Sequence, residues 1–229
     1  MVEICERGGL PWLYIGHLYL GLAAHWGGDW ASAERELRLA DQLEAPGAFG
    51  GQSAAHLAVY LARAGRGDEA VAIVEARRPG LPVAGRTGSI GAWNMLLGFV
   101  EALALAGRTD EVAALRPLLP GALALDDWVA IDGRLVATRA AIAAVATRDW
   151  DAAEGHLAAA QDSAEALGNR IEQADLGLWR ARMLLGRDRP GDREAAAALA
   201  AEVAGRYRVL GLPRHAEVAA ALLDGGPAS

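Results

Sequence analysis

Small and apolar residues recur along the chain in a fixed frame. Gly21 is followed twelve residues later by Ala33, across a turn at Gly28 and Asp29. Leu37 and Ala40 come four and seven residues after Ala33. The frame returns from Ala58 to Ala70 through Gly65 and Asp68, with Val74 four residues on. It returns from Val100 to Val112 through Gly107 and Asp110, and from Ala141 to Ala153 through Asp149, with Leu157 and Ala160 following. A looser copy runs from Leu178 and Trp179 past Gly186 and Asp192 to Ala195. Intervals of four and seven place residues on one helical face. The frame therefore predicts pairs of helices joined by tight turns. Glycine ends the first helix of a pair because it tolerates a left-handed cap. Asp29, Asp68, Asp149 and Asp192, and Thr109 in the third copy, are expected to cap the second helix.

The marker positions Ala33, Ala70, Val112, Ala153 and Ala195 lie 37, 42, 41 and 42 residues apart. One helix pair cannot bury its own apolar face, whereas stacked pairs can. Arg77 stands where the second copy calls for a small residue, and Pro117 and Pro120 must shorten the second helix of the third copy. Residues 78–88 and 117–127 read as long loops between copies. The expectation is an all-α fold of about five degenerate hairpins, forming a single helical-repeat domain over residues 1–229.

These small-residue pairs, Gly-Asp or Gly-Arg turns and following alanines resemble the tetratricopeptide-repeat family over about residues 12–224. The family period is roughly 34 residues, shorter than the spacing here. The resemblance implies a right-handed α-solenoid of TPR-like hairpins whose first helices line a concave groove. It places groove positions at His25, Trp26, Gln52, Arg63, Asn94, Glu101, Gln173 and Arg180. The stretch Gly186–Ala195 and the segment Leu210–Pro213 look like the C-terminal repeat tails of bacterial LuxR-type or cyclase-associated signalling ATPases. That likeness implies the regulatory or sensor arm of a bacterial signal-transduction or transcription-regulating protein. The nucleotide-binding engine itself would lie elsewhere, because a chain without lysine cannot form a Gly-x-x-x-x-Gly-Lys loop.

Residues 2–11 end in Gly9, Leu10 and Pro11, like later helix ends, and read as the remnant of a helix whose partner is missing. The first full helix, with Trp12, Leu13, Tyr14, Ile15, Leu18, Tyr19 and Leu20, is apolar nearly all round, where an end repeat normally shows a polar face. Either the chain is cut from a larger protein, or this end meets a partner. A free-standing scaffold that forms a homodimer through Trp12 and Ile15 is the second reading. Residues 225–229 are expected to be a disordered tail.

Composition narrows the function classes. Apolar residues make up 53% of the 229 residues and charged residues 22%, a core-forming balance. A net charge of −7 disfavours nucleic acid, which demands a basic stripe. All 22 basic side chains are arginine. No apolar run reaches membrane-spanning length, and the acidic start at Glu3 and Glu6 does not suit a signal peptide, so a cytoplasmic location is expected. Cys5 is the only cysteine, which excludes an intrachain disulfide.

Candidate chemistry is sparse. His17, His25, His56, His156 and His215 show no metal-ligand spacing. Asp68 with Glu69, and Asp110 with Glu111, fit the first turn of a helix, where carboxylates complement the macrodipole. Asp126 and Asp127 read as solvated caps, and Ser53 and Ser89 lack a nucleophile motif. Gly47–Gly51 is glycine-rich but reads as a flexible turn. Seven tryptophans against two phenylalanines are unusual. Trp30 and Trp150 share a place three before the marker, while Trp26, Trp93 and Trp179 fit either core packing or an aromatic-lined groove. No catalytic residue, cofactor or metal is expected. The chain reads as a protein- or ligand-binding module whose partner, a peptide, protein or small effector, lies in the groove.

Overall fold

The computed structural model describes residue 8, residues 12–124 and residues 133–222. The expectations for residues 2–7 and 9–11, for Cys5, for Asp126 and Asp127 and for the tail fall outside these. The described residues are all-helical, as the frame predicts. The helices are α1 (Leu13–Gly27), α2 (Trp30–Leu43), α3 (Gln52–Arg63), α4 (Gly67–Arg77), α5 (Ile90–Leu105), α6 (Thr109–Leu115), α7 (Leu119–Leu123), α8 (Val136–Ala146), α9 (Trp150–Ala166), α10 (Arg170–Arg187), α11 (Asp192–Val209) and α12 (Pro213–Ala221). Short 3-10 turns follow α4 at Arg78–Gly80 and α6 at Arg116–Leu118.

The chain divides into two compact units between Ala106 and Gly107. This is the turn inside the third hairpin, not either of the stretches 78–88 and 117–127 read as loops between copies. In the first unit each helix packs on the next, and α3 also packs on α5 and α1. In the second unit α8 to α12 pack successively, and α8 also meets α10.

One turn chemistry recurs at five of the joints between helices. Asp29 N–H donates to Ala24 O at 3.0 Å, Arg66 to Leu61 O at 2.9 Å, Asp149 to Ala144 O at 2.9 Å, Asn169 to Ala164 O at 2.9 Å and Leu212 to Tyr207 O at 2.9 Å. Each is the closing bond of a Schellman cap around a left-handed residue. That residue is glycine in four cases and Arg148, at φ 58°, in the fifth. The donor residue is then itself the N-cap of the next helix. One three-residue unit thus ends one helix and starts another.

The capping side chains follow only part of the expectation. Asp29 accepts from Ser32 N–H and Asp149 from Ala152 N–H. Asp68 and Thr109 lie inside the first turn, because Arg66 and Arg108 occupy the cap positions. Asp192 is the first residue of α11, after Gly191, and its carboxylate is taken by Arg187.

The second helix of each pair buries one stripe: Ala33, Leu37 and Ala40 on α2, Ala70 and Val74 on α4, and Ala153, Leu157, Ala160 and Ala164 on α9. On α11 the stripe is Ala196, Ala200, Val203 and Tyr207. The fifth marker is therefore Ala196; Ala195 is exposed. Arg77 is exposed as well, which relieves its misfit, and it pairs with Asp41. The second helix of the third copy ends at Leu115, as Pro117 requires. The stretch expected to be a loop from Pro117 instead continues as the 3-10 turn and α7.

The first helices α3 and α5 are buried on nearly every side. On α5 most residues from Gly91 to Leu105 are out of water, Asn94 and Glu101 among them. Gly98 explains how α3 and α5 come so close. A Cβ there would sit 2.8 Å from the Ala55 Cβ, so only glycine lets the two helices touch.

Candidate functional site

Six of the eight expected groove residues belong to the first unit, and the structure draws them inward. His25 is 5% exposed, with its ring centroid 5.5 Å from Trp26, 5.6 Å from Trp30 and 5.7 Å from Tyr60. The Arg63 guanidinium sits 5.9 Å from the Trp26 ring centroid and bonds Glu101 at 2.6 Å. Asn94 Nδ2 donates to Gln52 Oε1 at 3.2 Å. Gln173 and Arg180 lie on α10 in the second unit. Gln173 donates to Ala164 O at 3.1 Å, and Arg180 is exposed.

Four of the expected groove positions in the first unit, His25, Gln52, Asn94 and Glu101, are instead buried. Where α3 meets α5, polar side chains have left water, and a buried polar group must find a partner. Gln52 with Asn94, and Arg63 with Glu101, are such partners. The tryptophans divide likewise. Trp179 is 4% exposed, and its ring has the Arg182 guanidinium 5.1 Å from its centroid. Trp30 joins the His25 cluster and receives the Tyr60 hydroxyl on its carbonyl at 2.8 Å.

Open space lies elsewhere, around the 44–51 loop between α2 and α3. Glu44 ends α2 and folds back over the start of α3. Its Oε2 accepts from Gly51 N–H at 2.8 Å. Its Oε1 accepts from Ser53 N–H at 3.2 Å and the Ser53 hydroxyl at 3.3 Å. Gly51, at φ 96°, has no side chain to cap α3, so Glu44 caps it from across the loop. On its far side the loop is held by Gly91 N–H, which donates to Ala48 O at 2.8 Å. The glycine-rich stretch read as a flexible turn is thus bonded to Glu44 through Gly51 and to α5 through Ala48.

A cleft of about 390 Å³ opens beside this loop, lined by Glu44, Pro46, Gly51, Arg77, Ser89 and Met95 among others. Gly51 and Gly80 clasp Met95; a Cβ on either would lie 2.3 Å and 2.9 Å from its sulfur and methyl respectively. A second, apolar slot of about 290 Å³ is lined by Trp12, Tyr14, Pro46 and Phe49. Trp12 meets Phe49 edge-on at 6.3 Å. Both cavities share Ala45, Pro46 and Gly47.

Burial pushes the Glu44 carboxyl above its ordinary range, and the Asp41 charge adds to this against the opposing pull of the Ser53 and Gly51 amides. Burial likewise raises the Tyr14 hydroxyl, with the Glu44 charge adding to it. Arg77 is held by Asp41 at 2.8 Å.

No family model, curated protein or solved structure matches this chain.

The second unit carries a polar cluster that residue spacing did not reveal. The Arg134 side chain, 3% exposed, meets Glu172 at 3.1 Å and also pairs with Asp175. Glu172 accepts from Leu135 N–H at 3.2 Å and from the Thr138 hydroxyl. Asp175 accepts from the Tyr207 hydroxyl. The signal in the sequence was there: Glu172 and Asp175 stand three apart on the apolar face of α10. Among the described residues no group of histidine, cysteine and carboxylate side chains could hold a metal ion. No described helix is long and apolar enough to cross a membrane.

Proposed function

We propose that the chain is a non-catalytic binding module built of TPR-like hairpins in a right-handed α-solenoid, and that its partner docks around the 44–51 loop. One observation carries the reading: a hydrogen-bonded loop with a cleft carrying Glu44, Arg77 and Ser89 on one side and an aromatic slot on the other. Recognition sites are typically concave, largely apolar and furnished with a few fixed polar groups. The aromatic slot would take an apolar anchor, and the cleft would orient the adjoining polar part of the partner. The likeness at Gly186–Ala195 and Leu210–Pro213 supports placing this module beside a bacterial signalling ATPase or cyclase, as its regulatory arm. Coding sequence that continues into such a domain upholds that placement; a gene that begins and ends with this chain removes it.

Selection of peptides from a random display library tests the docking site. Selected peptides are expected to lose at least about tenfold in affinity with Phe49→Asp, a loss of about 1.4 kcal/mol. Undiminished binding to that variant would move the site elsewhere.

Self-association is a second reading, favoured by Trp12, Tyr19 and Leu20, which stay 49%, 45% and 49% exposed at the start of the first hairpin. Ile15, the other residue expected there, is half-buried. Sedimentation should show a dimer that Trp12→Asp converts to monomer; a monomer at all concentrations contradicts it.

A further inference from the structure

We infer that the cleft beside the 44–51 loop takes a primary ammonium group, with the Glu44 carboxylate as its counter-ion. This rests on the docking site proposed above and names the chemistry that site accepts.

Glu44 differs from the other half-buried and buried carboxylates. Glu36 meets His17 at 2.8 Å, Glu101 meets Arg63 and Glu172 meets Arg134. Among the described residues, no arginine or histidine pairs with Glu44. The one guanidinium on the same cleft, Arg77, is engaged by Asp41. Glu44 is bonded to the two α3 amides and the Ser53 hydroxyl, and the helix N-terminus supplies only about half a positive charge. Asp41 adds charge of the wrong sign. A carboxylate withdrawn from water is stabilised by a full cation at hydrogen-bond distance, and the open cleft is where one can enter. The space beside it suits a short alkyl stem. Its 390 Å³ lies at the small end of ligand cavities, and the Met95 thioether offers a soft apolar wall. A free alkylamine and a lysine side chain share this chemistry.

The test is amide and methyl shift mapping of the full chain. The probes are pentylamine, pentanol, pentanoate and an acetylated alanine–lysine–alanine amide. The ammonium probes should shift Gly50, Gly51 and the Met95 methyl and bind at least about tenfold more tightly than pentanol. Glu44→Gln should abolish that preference. Since Glu44 also caps α3, the unaltered chain supplies a second readout. Lowering pH should protonate Glu44, and amine binding should fall with it while pentanol binding holds. Asp41, Arg77 and Tyr14 are the other titratable groups around Glu44, and Asp41 is the other carboxylate among them. An Asp41→Asn chain that keeps the pH dependence assigns it to Glu44; a pH dependence lost in that chain overturns the assignment. Preference for pentylamine or for the peptide identifies the source, and either upholds the site. Equal binding of amine and alcohol, or tighter binding of pentanoate, overturns the ammonium site while leaving the docking cleft. No shift from any probe overturns both.

Discussion

At the scale of single residues, the turns hold the most testable chemistry. Asp29 accepts a bond from Ser32 N–H at 3.1 Å, so Asp29→Ala should cost about 1 kcal/mol in chemical denaturation. Asp68 looks equivalent in the sequence but lies one residue beyond the start of α4. Asp68→Ala should cost only about 0.3–1 kcal/mol, the range of a macrodipole contact. Equal losses would show that both aspartates cap. Asp192 gives a pH signature. Arg187 holds its carboxyl down to about 2, below the value of about 3.9 in an unfolded chain. Its contribution is complete above about pH 5 and is lost as pH falls from about 4 to about 2. Asp192→Asn should flatten that acid limb; an unchanged limb contradicts the ion pair. The caps were only half legible because spacing locates a turn to within a residue or two. Which residue takes the cap depends on where the left-handed residue falls, and at Arg148 that residue is not a glycine.

At the scale of helices, second helices were legible and first helices were not. An intervals-of-four-and-seven stripe describes α2 and α9 well, because one face is buried and the rest is wet. On α3 and α5 almost every position is buried, so the pattern carries no facing information, and polar residues there looked like a groove. Gly98 marks the reason. Gly98→Ala, with 2.8 Å between the new Cβ and Ala55, should destabilise the chain by about 1–3 kcal/mol. Gly155, in mid-α9 with nothing within 4 Å of an added Cβ, should respond oppositely, and Gly155→Ala should stabilise by about 0.5–1 kcal/mol. Thermal melts of the two variants moving in the same direction would refute this distinction. Arg134 ties the start of α8 to α10, and through Asp175 and Tyr207 to α11. Arg134→Met removes the buried cation that Glu172 and Asp175 share and should cost about 3–5 kcal/mol in urea denaturation. A loss below about 1 kcal/mol would mean that the cluster is solvated.

At the scale of the whole molecule, the all-α class followed from the twelve-residue frame. The cleft did not follow, since it depends on how Glu44 folds across a loop and on Met95, far from Glu44 in sequence, entering between Gly51 and Gly80. Such closures join residues that share no periodicity. Residues 44–51 are, on the reading proposed, the surface through which the chain recognises its partner. The measurement that bears on this most directly is a map of amide shifts on titrating a library-selected peptide into the intact chain. Shifts concentrated at residues 44–51 and 76–80, with the Met95 methyl, are the predicted result. Shifts confined to the exposed faces of α2, α9 and α11, with the loop unmoved, would contradict it.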